Sequence, residues 1–297
     1  MESFTKILNC TCLIVLISLV TNSLVLGQEL SYIMLDKEIN ADGILITNNG
    51  VIYAAEGWDG SKIYKIKNGQ VEVFASNLQG PIDIIMGKDG NLYVSEWMNG
   101  NKKGGRISKI SSKGKVTTFA EVKPGPGLMT IDIKGNIYVT HNINDGSGFI
   151  SIIDQNGQVI IIISDPLLVN PGGIDFDDEG NLYVANFNNG NIIKITDGIA
   201  SVFAKISSNK QWRISYLKFI KGNLYVAGLQ NFKIYKIDLH GQIGFLFDAE
   251  NTNSELVNKS NQNNIQPDGL AFDRKNNVLY FTELFTKSDR IQTIKLK

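Results

Sequence analysis

Residues 171–195 read PGGIDFDDEGNLYVANFNNGNIIKI. Asp178-Glu179-Gly180-Asn181 is a tight turn in which Gly180 can take positive φ without steric cost. Leu182-Tyr183-Val184-Ala185 is rich in β-formers, Asn188-Asn189-Gly190 is a second turn, and Ile192-Ile193-Lys194-Ile195 is a further strand. The pattern recurs. Aligned on the Tyr of this segment, the copies fall at Tyr53, Tyr93, Tyr138, Tyr183, Tyr225 and Tyr280, in steps of 40, 45, 45, 42 and 55 residues. Six such copies, all strand and turn, predict an all-β repeat architecture: a six-bladed β-propeller of four-stranded blades.

The ends of the chain predict how the ring closes. Leu30 to Leu35 is a strand with no partner of its own, while Arg290 to Leu296 is the third strand of a last copy that lacks a fourth. The N-terminal strand is expected to complete the last blade and leave no open seam. Before it, Lys6 precedes an apolar run that ends in Val25-Leu26-Gly27. Small residues before Gln28 read as the cleavage site of a secretory signal over 1–27, leaving residues 28–297 as one propeller domain, secreted or periplasmic. A membrane anchor is the competing reading, but Asn9, Thr11, Ser18, Thr21, Asn22 and Ser23 interrupt the run. Both cysteines, Cys10 and Cys12, lie in this segment, so the mature chain has no disulfide and no thiolate chemistry.

With 29 basic and 29 acidic residues and no basic stripe, nucleic acid is not an expected partner, nor is a membrane once the signal is removed. The chain reads as a monomer. No Gly-x-Ser-x-Gly elbow, His-Glu-x-x-His, P-loop or dinucleotide fingerprint occurs.

Strand direction in a propeller sorts the remaining polar residues. The heads of the first strands and the tops of the second strands open on one mouth, and the Asp-Gly turns lie on the opposite face. Asp42 and Asp268 stand at strand heads, with Ile82, Gly127, Gly172 and Ile214 at the others. Glu56, Glu96, His141, Asn186, Gly228 and Glu283 stand three residues past each Tyr, and Asn142 adjoins His141. Carboxylates and amide oxygens converging on a channel suit a hard divalent cation such as Ca²⁺, and supply a carboxylate for general-base work. Each position also has a plainer use, capping loop backbone groups. Trp58, Trp97 and Phe187 follow the mouth residues, as walls for a sugar or lactone ring or as loop packing. Lys102-Lys103 reads as a solvated tip, and the Asn/Ser-rich stretch 248–266 as a lid or a mobile loop.

The repeated P-x-G-I-x-x-D-x-x-G-N-L-Y-V-A-N pattern, seen at 171–186, 81–96 and 267–283, resembles the gluconolactonase/regucalcin (senescence marker protein) superfamily and neighbouring NHL-repeat propellers. The resemblance spans about 31–297. It implies a metal-dependent lactone or ester hydrolase in which Asp268 matches the family's Asp-Gly motif as ligand and catalytic group. Asn186, Glu56 or Glu283, with Asp42, would complete the metal set. The family's Ser-Asn-Gly-Leu motif is replaced by Asn170-Pro171-Gly172-Gly173. On this reading Asp268 or His141 activates water, and Glu96, Asn142, Trp58 and Trp97 contact a lactone or sugar-like molecule. The second reading is a non-catalytic NHL-type propeller binding an extracellular glycan or protein. A third resemblance, to streptogramin lyases, implies metal-assisted elimination by histidines.

Overall fold

The computed structural model describes residues 23–25, 28–98, 104–143, 146–206, 214–229, 232–248, 265–283 and 287–297. Most of the expected signal segment, Lys102-Lys103 and nearly all of the 248–266 stretch lie outside them. The described residues form strands in six antiparallel sheets, with no α-helix among them.

Blades 1 to 5 are four-stranded and built from consecutive segments, beginning at Ile44–Ile46, Pro81–Met86, Pro126–Ile131, Pro171–Phe176 and Leu217–Ile220. Blade 6 joins Pro267–Asp273, Val278–Glu283 and Ser288–Lys295 to the N-terminal strand Gln28–Ile39, with Leu30 opposite Ile294 and Ile33 opposite Ile291. A short strand, Ser23–Val25, pairs in turn with Gln28–Leu30. Leu30 is buried, and the Ser31 and Thr293 hydroxyls meet at 2.7 Å. The same strand then ties blade 6 to blade 1, since the Asp36 carboxylate accepts the Val71 amide while the Asp36 amide donates to the Gly69 carbonyl. Ring closure is therefore made by both ends of the chain, as the unmatched strands imply.

Two side-chain devices repeat with the blades. At the outer turns, a carboxylate accepts backbone amides two to four residues ahead: Asp132 from Lys134 and Asn136, Asp177 from Glu179 and Asn181, Asp238 from His240 and Gln242. This Asx geometry is why Asp recurs ahead of the turn glycine. In the fourth strands of blades 1, 2 and 4, Phe74, Phe119 and Phe203 are the bulged residues that the neighbouring strand leaves unpaired. The bulge re-aims each ring edge-on to the repeat Tyr, at centroid distances of 5.0, 4.8 and 5.1 Å for Tyr53, Tyr93 and Tyr183.

The last strand of blade 3 differs from expectation. Val159 to Ile163 is apolar at every position, which as sequence reads as a strand sandwiched between blades, yet Val159 to Ile162 are 43–60% exposed. Blades diverge with distance from the axis, so an outermost strand is covered far less than an inner one.

At the axis the opposite holds, and blades touch backbone to backbone. The Gly43 amide donates to the Ile82 carbonyl and the Gly173 amide to the Ser215 carbonyl, both at 2.8 Å; the Thr282 hydroxyl donates to the Asp42 carbonyl at 2.7 Å. A Cβ on Gly269 would lie 2.2 Å from the Asp42 carbonyl oxygen and 2.8 Å from Thr282 Oγ1. Gly50, in an outer turn, has nothing within 4 Å. Gly269→Ala is therefore expected to lower stability by about 3 kcal/mol in urea unfolding, from overpacking against backbone that cannot yield. Gly50→Ala is strained only by its positive φ and should cost about 1 kcal/mol. Equal costs would show that the blades can part at the channel.

Candidate functional site

Register places the head positions of the six first strands at Asp42, Ile82, Gly127, Gly172, Ser215 and Asp268, each two residues before the residue opposite the position after the repeat Tyr. Blade 5 contributes Ser215, and not the Ile214 expected from sequence. These residues floor a cavity of about 160 Å³ at one mouth of the channel, with walls of Trp58, Trp97, Phe187 and Leu229 and with Asn142 at its side. The two indoles stack at 6.1 Å with planes 17° apart.

Asp42 and Asp268 are 7% and 2% exposed, line the same cavity, and act on each other's ionisation. Burial drives both upward: Asp42 lies well above its ordinary value, through burial and then the charge of Asp268, while Asp268 rises to about 6, with the Ser215 hydroxyl and Asp42 opposing its burial. Below the pair lies a group that sequence reasoning missed. The Tyr216 hydroxyl donates to the Ile82 carbonyl at 2.7 Å and to Asp42 Oδ1 at 3.1 Å, so a blade 5 side chain spans the channel to blades 1 and 2. Its proton is held firmly, first by burial and then by the charges of Asp42, Asp83 and Asp268. Asp83, 5% exposed, accepts the amides of Ile84 at 2.8 Å and Met129 at 2.7 Å. Burial raises Asp83 to about 6 against the charge of Lys218 and those two amides.

A sequence signal for these residues existed. One position after the strand head, blades 1, 4 and 6 carry Gly43, Gly173 and Gly269, whereas blades 2, 3 and 5 carry Asp83, Leu128 and Tyr216. The departures from glycine mark the side chains that fill the axis. Gly43 leaves room for the Tyr216 hydroxyl, which would stand 2.9 Å from a Cβ there.

The structure brings together Asp42, Asp268, Asn142, Trp58 and Trp97 of the expected site residues. The second-strand residues take the plainer role. Glu96, fully buried, holds Arg106 through both oxygens at 2.8 and 2.9 Å, and also accepts from the Gln79 amide and the Ser108 hydroxyl. Glu56 accepts from the Ser61 amide and the Tyr64 hydroxyl; burial pushes it up, but these donors and Lys62 leave it below its ordinary value. Asn186 accepts the Val169 amide and donates to the Leu167 carbonyl, fixing the chain that leads into blade 4. Glu283 accepts from Gln292 at 2.8 Å and is raised by burial.

His141 is buried against Phe149, with Nδ1 3.0 Å from the Pro124 carbonyl and Nε2 without a partner. Burial lowers it to about 4, so it is neutral at physiological pH, and it does not line the cavity. A second strand stands one strand spacing, about 4.8 Å, further from the axis than a first strand, and its side chains point into the blade interfaces. Of the five residues expected around a cation, only Asp42 and Asp268 reach the cavity, and among the described residues no three His, Cys, Asp or Glu side chains converge in a metal-holding group. This donor set does not fit Ca²⁺, which takes about six to eight oxygens.

No family model matches the sequence, and no curated protein matches it. Solved structures do share its fold. A gluconolactonase from Xanthomonas campestris is 14% identical over 91% of this chain and 90% of that one, at a TM-score of 0.69. A catalytically inactive virginiamycin B lyase from Staphylococcus aureus with quinupristin is 22% identical over 86% and 80%, at 0.62. A PQQ-bound aldose sugar dehydrogenase from Streptomyces coelicolor is 13% identical over 90% and 98%, at 0.66. At such identities the likeness is one of fold.

The raised carboxyl of Asp268 predicts a pH-dependent stability. Its pKa near 6 in the folded chain exceeds the ordinary 3.8, so the folded state holds the proton more tightly. The resulting stabilisation is complete below about pH 4 and is lost as pH rises through 6. Asp268→Asn, which cannot ionise, should gain on the wild type between pH 4 and pH 8 by up to about 3 kcal/mol. Urea titrations at the two pH values read this directly, and a constant gap would rule out a perturbed carboxyl.

Proposed function

We propose that this propeller hydrolyses small cyclic esters of largely apolar character at the aromatic-walled mouth of its channel. The observation that carries this reading is the pair of carboxyls Asp42 and Asp268, both buried on the floor of one cavity walled by Trp58, Trp97 and Phe187. Two carboxyls whose environments separate their ionisation can divide acid and base work. Asp268, raised to about 6, is assigned the base, and Asp42, held well above its ordinary value by burial and then the charge of Asp268, is assigned the proton. Tyr216, donating to Asp42 Oδ1, occupies one oxygen and leaves the other for that proton.

On this scheme Asp268 takes a proton from water as the water oxygen bonds to the acyl carbon, and Asp42 gives its proton to the carbonyl oxygen. Collapse of the tetrahedral adduct breaks the ring carbon–oxygen bond. Asp268 then protonates the departing ring oxygen, and Asp42 recovers its proton as the carbonyl re-forms. Lactone and water become a hydroxy acid, and both carboxyls return to their starting states. The shared fold with a gluconolactonase is consistent with this substrate class. A histidine-based elimination has less support, because His141 is turned into blade 3.

Turnover of a panel of five- and six-membered lactones tests the proposal. Asp268→Asn should lower kcat/KM by about 10²-fold or more. The wild-type kcat/KM should climb as pH rises through about 6, where Asp268 becomes a base. If the folded wild type turns over no lactone or ester, the hydrolase reading fails and the aromatic mouth is a binding site alone.

A further inference from the structure

The opposite mouth of the channel holds a second cavity, of about 370 Å³, formed by the far ends of the first strands. It shares no lining residue with the first. Its lining includes the apolar side chains Ile46, Ile131, Phe219 and Phe272, and about half of the surface it presents is polar. Its polar groups are Thr130, Asp175, Lys218 and Arg274. Asp175 is already engaged: Oδ1 accepts the Thr130 hydroxyl and Oδ2 the Phe219 amide, both at 2.9 Å. The two cations differ. Among the described residues neither Lys218 nor Arg274 has a carboxylate within ion-pair distance. Lys218 is half-buried, and its charge acts on Asp83, which does not line this cavity.

We infer that this second mouth binds a monoanion with an apolar body, of the aliphatic carboxylate class. Two cations and one satisfied carboxylate leave the lining one positive charge in excess, which a single negative charge balances. A half-buried ammonium without a close partner is costly, and a carboxylate hydrogen-bonded to it relieves that cost. The apolar half of the lining then favours an alkyl chain over a hydrated inorganic anion, because burying apolar surface adds affinity that phosphate cannot gain. The site is independent of the ester chemistry proposed for the first mouth.

Calorimetric titration of sodium hexanoate into the full chain at pH 7.5 and low salt tests this. One saturable site is expected. Lys218→Met and Arg274→Met, both checked for native circular dichroism, should each weaken it by about tenfold or more, the loss of one charge-assisted contact. Asp268→Asn should leave it unchanged. Neither 1-hexanol, which lacks the charge, nor inorganic phosphate, which lacks the chain, should bind comparably. The inference is overturned if hexanoate does not saturate, if Lys218→Met and Arg274→Met bind it as the wild type does, or if hexanol or phosphate matches it. It is equally overturned if Asp268→Asn abolishes binding, which would place the ligand at the first mouth.

Discussion

Around the channel the first strands of neighbouring blades stand so close that a single methyl group decides what fits. The amides of Gly43 and Gly173 bond directly to the carbonyls of the next blade, and a Cβ at Gly43, Gly173 or Gly269 would fall within 2.5 Å of a backbone atom of that neighbour. Such contact leaves the axis room for very few side chains. Tyr216, Asp83 and Leu128 occupy the positions where glycine is not used, and Tyr216 reaches through the space beside Gly43 to Asp42 and the Ile82 carbonyl. The same crowding that holds the ring together therefore closes the channel into two cavities and sets the orientation of the acid at the first.

Electrostatics at the axis follow from that closure. Asp42, Asp83 and Asp268 sit with little solvent and little opposing charge, so burial is the leading influence on each. A carboxyl that accepts several amides and faces a cation can ionise even when buried; Asp83 has two amides and the distant Lys218, and it still rises to about 6. Asp42 and Asp268 also repel one another, so one of them keeps its proton while the other can give it up. Glu96 is as deeply buried, but Arg106 engages both its oxygens and it holds blade 2 together without lining the cavity.

Much of the fold was legible in the chain because a propeller repeats its local instructions. The Asp before several turn glycines, the Leu-Tyr strand and the missing and spare strands at the two ends each report on short-range pairing, and the blades and the Leu30–Ile294 closure follow from them. The exposed Val159–Ile162 edge did not follow, since apolar composition says nothing of how far a strand stands from the axis. At the site, Asp42, Asp268, Asn142, Trp58 and Trp97 were legible because strand direction alone assigns them to one mouth. Glu56, Glu96, His141 and Glu283 share that mouth by strand direction but are aimed within their own blades or the loops entering them, and Asn186 is aimed at the end of blade 3's last strand.

The sequence by itself determined the number of blades, the four-strand unit, the partner of the N-terminal strand and which residues lie near each face. These depend on hydrogen bonding and turn geometry between residues close in the repeat. Only the tertiary structure decided which polar residues meet. Asp42 and Asp268 are 226 positions apart and Tyr216 lies 174 from Asp42, and what joins them is the angle between blades and the space a missing Cβ leaves. A repeat encodes each blade locally, whereas the chemistry at its axis arises where six blades converge, and no single repeat contains that distance.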